Sequence, residues 1–216
     1  GGAAAGPPLA LPAPRDLNRH RFISVGPLLA CFLLASVSCG GSSSAGQKIY
    51  FAAVGEMRSV HLETLQAYYK QRYDLTIDLL PPIGLQPMVV DERRRQLIAE
   101  ELLSLQKRRY PEHARSPQSI VIGITEGDMY IREVDWRFAF AKRDGDRFAV
   151  VSSARMDPVN FGYLPDDELL QTRLRKMLSK NIGIMYYKLP QKSDRRSVMF
   201  GPILGIHDLD SMGADF

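Results

Sequence analysis

Few side chains in this chain can bind a metal or attack a substrate. Among 216 residues there are 4 His and 2 Cys. His20, His61, His113 and His207 are scattered, and no two have the short spacing that lets two imidazoles reach one ion. Cys31 and Cys39 both lie near the N-terminus, so neither a disulfide nor a thiolate metal site can form within the body. Two polar groupings remain. Ser179-Lys180 sets a hydroxyl beside an amine in the sequence, but adjacent helix residues do not face each other. An exposed Ser next to a solvated Lys is the expectation there. His207 with Asp208 and Asp210 offers either a weak cation site or an ordinary polar turn near the C-terminus.

The element that must position most of these groups is Leu174–Pro190, LRKMLSKNIGIMYYKLP. With Leu170 before it, Leu174, Met177, Leu178, Ile182 and Met185 follow at i+4, i+7, i+8, i+12 and i+15. That spacing gives one broad apolar face and predicts a long central helix, begun by Asp166 and Asp167 and stopped by Pro190. Met185, Tyr186 and Tyr187 are expected to pack in the core rather than line a pocket.

Upstream, Lys48–Val54 reads as a buried strand, Met57–Tyr73 as a helix, and Leu75–Leu80 as a strand ending at Pro81-Pro82. Asp91 can cap a helix through Gln106, and the basic stretch Lys107–Gln118, with Lys107, Arg108, Arg109 and Arg115, reads as a solvated loop. Ser119–Thr125, SIVIGIT, reads as a central strand. Trp136–Ala141 and Arg147–Ser153 flank Asp144-Gly145 as a hairpin, so Phe138, Ala139 and Phe140 fall on an edge strand. The order β-α-β-α-β predicts an α/β domain with a partly parallel sheet over 47–216. Arg155, just past the hairpin, is expected to be a buried ion-pair partner.

The N-terminus reads differently. Residues 1–14 are Gly/Ala/Pro-rich and are expected to be disordered or to lie upstream of the true start. Residues 15–38 have a basic segment, then the apolar run Phe22–Ser38, which is short for a membrane span and matches a signal peptide. Cys39, followed by Gly and Ser, resembles a bacterial lipobox cysteine, although Ser36 stands where an aliphatic residue is usual. The resemblance implies lipid attachment at Cys39, a tether over 39–46, and an exported protein held at a membrane of the cell envelope. A plain signal peptide or an uncleaved anchor are the alternatives. Removing Arg15, Arg19, Arg21 and Asp16 lowers the formal net charge from +4 to +2, which gives no electrostatic footprint for nucleic acid.

Four collinear segments resemble the archaemetzincins, a family of zinc-dependent peptidases. They are Ile124–Tyr130 (ITEGDMY), Phe138–Met156 (FAFAKRDGDRFAVVSSARM), Arg173–Pro190, and the region around Met199. The resemblance implies a metzincin-like mixed sheet with flanking helices, a long central helix and a methionine turn at Met199. In the family the third segment carries His-Glu-x-x-His-x-x-Gly-x-x-His, which holds zinc and a general base on one helix face. On that frame Lys180 falls at the first His, Asn181 at the Glu, Ile184 at the second His and Pro190 at the third. A protonated Lys repels a metal, Ile and Pro have no lone pair to give, and Asn takes up no proton. The expectations are therefore no zinc or other cofactor and no catalytic residue. What remains is a binding or scaffold module whose edge strand at Phe138, Ala139 and Phe140 takes an extended peptide or protein. A peptidase or hydrolase acting through a rearranged site is the alternative.

Overall fold

Alternate residues of three strands join two different hydrophobic clusters, and that alternation divides the fold into layers. The computed structural model describes residues 46–216; the leader at 1–38, Cys39 and almost all of the tether lie outside the described residues. The strands are β1 Lys48–Val54, β2 Ile77–Ile83, β3 Val90–Asp91, β4 Gln96–Ile98, β5 Ser119–Thr125, β6 Met129–Tyr130, β7 Ala141–Asp144 and β8 Phe148–Ser152. The helices are α1 Leu62–Tyr73, α2 Ala99–Arg109, α3 Pro111–Arg115, α4 Asp167–Met185 and α5 Ile206–Ser211.

The main sheet has order β2-β1-β5-β8-β7, and a second, small sheet has order β3-β4-β6. Within the main sheet β2, β1, β5 and β8 run parallel, and β7 closes one edge antiparallel to β8. Ile49 and Phe51 of β1, Ile120, Ile122 and Ile124 of β5, and Ala149 and Val151 of β8 pack with α1 and α4. The residues between them, among them Ala52, Val121, Phe148 and Val150, pack with α2. A strand sends successive side chains to opposite faces, so strands covered by helices on both sides must be apolar throughout. Every residue of β5 and β8 is buried accordingly. The mixed α/β fold with a long helix expected from the sequence is present.

Helix α4 begins where Asp166 accepts a hydrogen bond from Leu169 N at 2.9 Å. Its residues 176–183 are buried on every face, not along a single stripe. It ends at Met185, earlier than the proline stop, because Lys188 takes φ 56° and Leu189 N donates back to Gly183 O at 2.9 Å. Gly183 is required by close approach: a Cβ there would stand 2.6 Å from Met199 Sδ and 2.8 Å from the Phe216 ring. Met199 is thus buried directly against α4.

Several boundaries differ from the sequence expectation: α1 starts at Leu62 rather than Met57, and β2 runs through Pro81-Pro82 to Ile83. Asp91 caps a turn through the amides of Arg93 and Arg94, and β4 follows it. Leu97 and Ile98 pair in parallel with Met129 and Tyr130, so α2 starts only at Ala99. The basic run at Lys107 is the last turn of α2, where cations oppose the negative end of the macrodipole. β7 begins at Ala141, and Phe138–Phe140 precede it. Ala139 N donates to Met129 O, Phe140 O accepts from Ser152 N, and Ala139 and Phe140 are buried. Among the described residues, no helix is long and apolar enough to cross a membrane.

Candidate functional site

The cleft beside α4 is built from three stretches distant in sequence. It is lined by residues 135–141 leading into β7, by Arg143 of β7, by Met177 and Lys180 of α4, and by Gln191 and residues 202–204. Its volume is about 490 Å³, within the roughly 300–1,000 Å³ range of small-ligand sites. Trp136, Phe138, Phe140, Met177, Ile203 and Leu204 make most of the surface apolar. No Ser, Thr, Cys or His lines it.

Sheet register and helix phase place the charges. Arg143 pairs with Ala149, which lies on the α4 side of the sheet, so the Arg143 side chain meets α4. Lys142, on the opposite side of the strand, pairs with Glu133 at 2.7 Å and Glu100 at 3.4 Å. Arg143 Nη1 donates to Asn181 Oδ1 at 3.0 Å, and Asn181 Nδ2 donates to Met177 O at 2.8 Å. Lys180 is 5% exposed, and its ammonium donates to Phe200 O. Burial, reinforced by the nearby Arg143 charge, pulls the Lys180 pKa down from the ordinary 10.5 to about 8. Burial also lowers that of Arg143. Asp146 acts on Arg143 from a distance and is itself paired with Lys188 at 3.2 Å.

Ser179 and Lys180 are both buried, which corrects the expected exposed Ser and solvated Lys. They face different ways. Ser179 Oγ meets the Tyr69 hydroxyl at 3.0 Å on the α1 side, while Lys180 faces the cleft. Ile184 packs against the core and Pro190 is exposed, and neither lines the cleft. Lys180, Asn181, Ile184 and Pro190 together do not make a donor set for zinc. One is a cation held on a carbonyl, one is an amide already committed at both ends, and two have no donor atom. Among the described residues, no group of three or more His, Cys, Asp or Glu side chains is placed to hold a metal ion.

The remaining candidates have local structural partners. Asp208 accepts from Arg195 at 2.9 Å and from Leu204 N at 3.0 Å, and both carboxylate oxygens of Asp210 are taken by Arg173, so this stretch is a paired polar helix. Arg155 makes a two-point ion pair with Asp128 at 3.0 and 2.6 Å, but its side chain is 38% exposed and not buried as expected. This pair ties the turn after β5 to the chain after β8. Met185 is core, while Tyr187 is partly exposed and edge-on to Phe216. A larger depression of about 890 Å³ opens at the C-terminal ends of β1, β2, β5 and β8. Its Glu126 carboxylate is used up by the amides of Arg58, Ser59 and Val60, at 2.7–3.0 Å.

Arg143 is a cleft residue that was not singled out from the sequence. The signal for Arg143 was available: it follows Ala141 at i+2, so the alternation that buries Ala141's side of the strand carries a charge inward with it.

No family profile and no curated protein sequence matches the chain. Solved structures do. The archaemetzincin of Archaeoglobus fulgidus, solved in complex with malonate, aligns over 79% of this chain and 95% of its own, with 21% identity and a TM-score of 0.61. The archaemetzincin of Methanopyrus kandleri aligns over 83% and 92%, with 21% identity and a TM-score of 0.59. A zinc-dependent peptidase from Methanocorpusculum labreanum aligns over 77% and 95%, with 18% identity and a TM-score of 0.61. The fold of residues 46–216 is archaemetzincin-like.

Proposed function

We propose that this chain is an exported, lipid-anchored binding module, built on a zinc-peptidase fold whose zinc ligands and general base have been lost. The observation that carries this reading is Lys180, a buried cation on the cleft floor at the motif's first metal-ligand position. A lysine ammonium there repels a divalent ion, and Asn181 in the general-base position has no proton-accepting charge. The space for a ligand nevertheless remains, about 490 Å³ of it.

The proposed occupant is an extended peptide. Among the described residues β7 ends the main sheet, so one side of it has no partner strand there. A peptide laid along that side can add main-chain hydrogen bonds while its side chains reach Trp136, Phe138 and Ile203. The edge offered is Ala141–Asp144, in place of Phe138–Phe140, whose paired main chain forms one wall of the cleft. Cys39 and its Gly/Ser tether would hold the module at a membrane surface.

Metal content after purification from zinc-supplemented medium tests the loss of the site. The expected result is no stoichiometric metal, and a tightly held equivalent of zinc overturns the reading. Slowed amide exchange at Ala141–Asp144 on adding end-blocked peptides tests the edge; unchanged exchange removes the peptide. Palmitate labelling is expected to vanish in Cys39→Ser, and labelling that persists removes the anchor.

A further inference from the structure

Lys180 and Arg143 come from different elements and face one cavity, and neither has a carboxylate partner among the described residues. Lys180 has three N–H donors and uses one on Phe200 O; Arg143 has five and uses one on Asn181 Oδ1. Both acceptors are neutral. Among the residues lining the cavity, Lys180, Arg143 and Arg137 are cationic and Asp135 is the single anion. Arg137 and Asp135 are exposed at the rim, and the two inner charges, the buried Lys180 and the half-buried Arg143, are both positive. Asp146, the one carboxylate acting on Arg143, is occupied by Lys188. Buried charges are ordinarily paired, because a desolvated ion without a counter-charge is unfavourable. Here the missing partner is an anion, and the cavity opens where that anion would sit. Above the charges the walls are apolar: Trp136, Phe138, Phe140, Met177, Ile203 and Leu204.

We infer that this cavity is a binding site for a carboxylate carried on an apolar body, with the carboxylate bridging Lys180 and Arg143 and the body against Phe138, Phe140 and Met177. The Asn181 amide is a positioning group, because it joins the Arg143 guanidinium to the backbone of α4 through Met177 O. A carboxylate fits this pair better than a neutral group, since it accepts charge-assisted hydrogen bonds from a guanidinium and an ammonium at once. Two sources share this chemistry: the C-terminal residue of a peptide and a free fatty or aromatic acid. The inference rests on the reading of the cleft as a retained binding site, but not on the peptide-edge part of it.

The test is titration of the purified full chain, followed by protein NMR, with N-acetyl-L-leucine and hexanoate, each against its neutral amide. Both acids are expected to bind at least about tenfold more tightly than their amides, a difference of about 1.4 kcal/mol. Arg143→Gln and Lys180→Met are each expected to weaken acid binding at least about tenfold and to weaken amide binding by clearly less. Lys180→Met keeps side-chain length and removes a buried charge, and a retained thermal transition in each variant separates lost binding from lost fold. Tighter binding of N-acetyl-L-leucine identifies the peptide C-terminus as the source, and tighter binding of hexanoate identifies a free acid. Acids binding no better than amides, acid binding that survives both substitutions, or no binding below about 10 mM overturns the inference. If the acids bind while end-blocked peptides leave β7 exchange unchanged, the peptide edge fails and the carboxylate site stands.

Discussion

Replacing Lys180 by Met should change the pH dependence of stability more than stability at neutral pH. The side chain is 5% exposed, and its pKa falls from 10.5 to about 8 in the folded protein. In the unfolded chain it returns to the ordinary lysine value. Between about pH 8 and 10.5 the unfolded chain therefore holds a proton that the folded protein has released. Stability rises with pH wherever the unfolded state binds more protons. The interval, at about 1.4 kcal/mol per pH unit, amounts to about 3 kcal/mol. That contribution is fully present above about pH 10.5 and lost as pH falls through about 8. Lys180→Met removes it at every pH. At neutral pH the variant escapes the buried charge but leaves Phe200 O without its donor, which costs about 1–3 kcal/mol, so the two effects nearly offset. Urea unfolding of both proteins from about pH 7 to 10.5 provides the assay, because the other titrating groups cancel in the difference. Wild-type stability minus variant stability should climb by about 3 kcal/mol over that range. A difference that stays flat to within about 0.5 kcal/mol would refute the assignment of a buried, uncompensated charge at Lys180.

Three further substitutions test how α4 and the C-terminal segment are held. Tyr69→Phe removes the hydroxyl that meets Ser179 Oγ at 3.0 Å and donates to Arg175 O at 3.1 Å, and should destabilise the fold by about 1–2 kcal/mol in urea. Adding Ser179→Ala should cost less than it does alone, because the buried partner is already gone. Gly213→Ala should lower the thermal midpoint: the new Cβ would collide with the main-chain carbonyl of Arg196, and overpacking against backbone costs about 1–3 kcal/mol.

Much of the sheet was legible because its signals are local. Lys48–Val54 and Ser119–Thr125 are strands over the stretches expected, since continuous β-branched and apolar runs fit only a strand covered on both faces. The stretch after Asp91 was misread because Leu97 and Ile98 fit a helical spacing equally well. Their actual partners, Met129 and Tyr130, lie over 30 residues away, and nothing local announces that pairing. Lys180 was read as solvated for the same reason. Its neighbours in sequence mark a helix with one apolar face, and only the packing of Phe200 and Arg143 against it shows that the polar side is buried too. Arg143 could have been placed on the inner face by alternation, but its meeting with α4 depends on sheet order, which a strand's own residues do not encode.

The two cations also discriminate between a scaffold and a binding module. A domain kept only for its shape would be better served by an apolar side chain at the buried Lys180, since replacing buried ionic groups by well-packed hydrophobic ones is often neutral or stabilising. This fold instead supports the charges. It turns Phe200 O toward one and Asn181 Oδ1 toward the other, and holds that amide with a second hydrogen bond. Gly201 keeps the approach open, because a Cβ there would collide with Gln191 and stand 2.6 Å from Lys180 Nζ. Neutral acceptors on one side, open cavity on the other and a lysine held below its ordinary pKa are the features on which the proposed anion site rests. A group perturbed by burial and by a specific charged neighbour in a cleft is a functional-site candidate. The proposed carboxylate would supply the counter-charge that the buried Lys180 ammonium, held on the neutral Phe200 carbonyl, otherwise lacks.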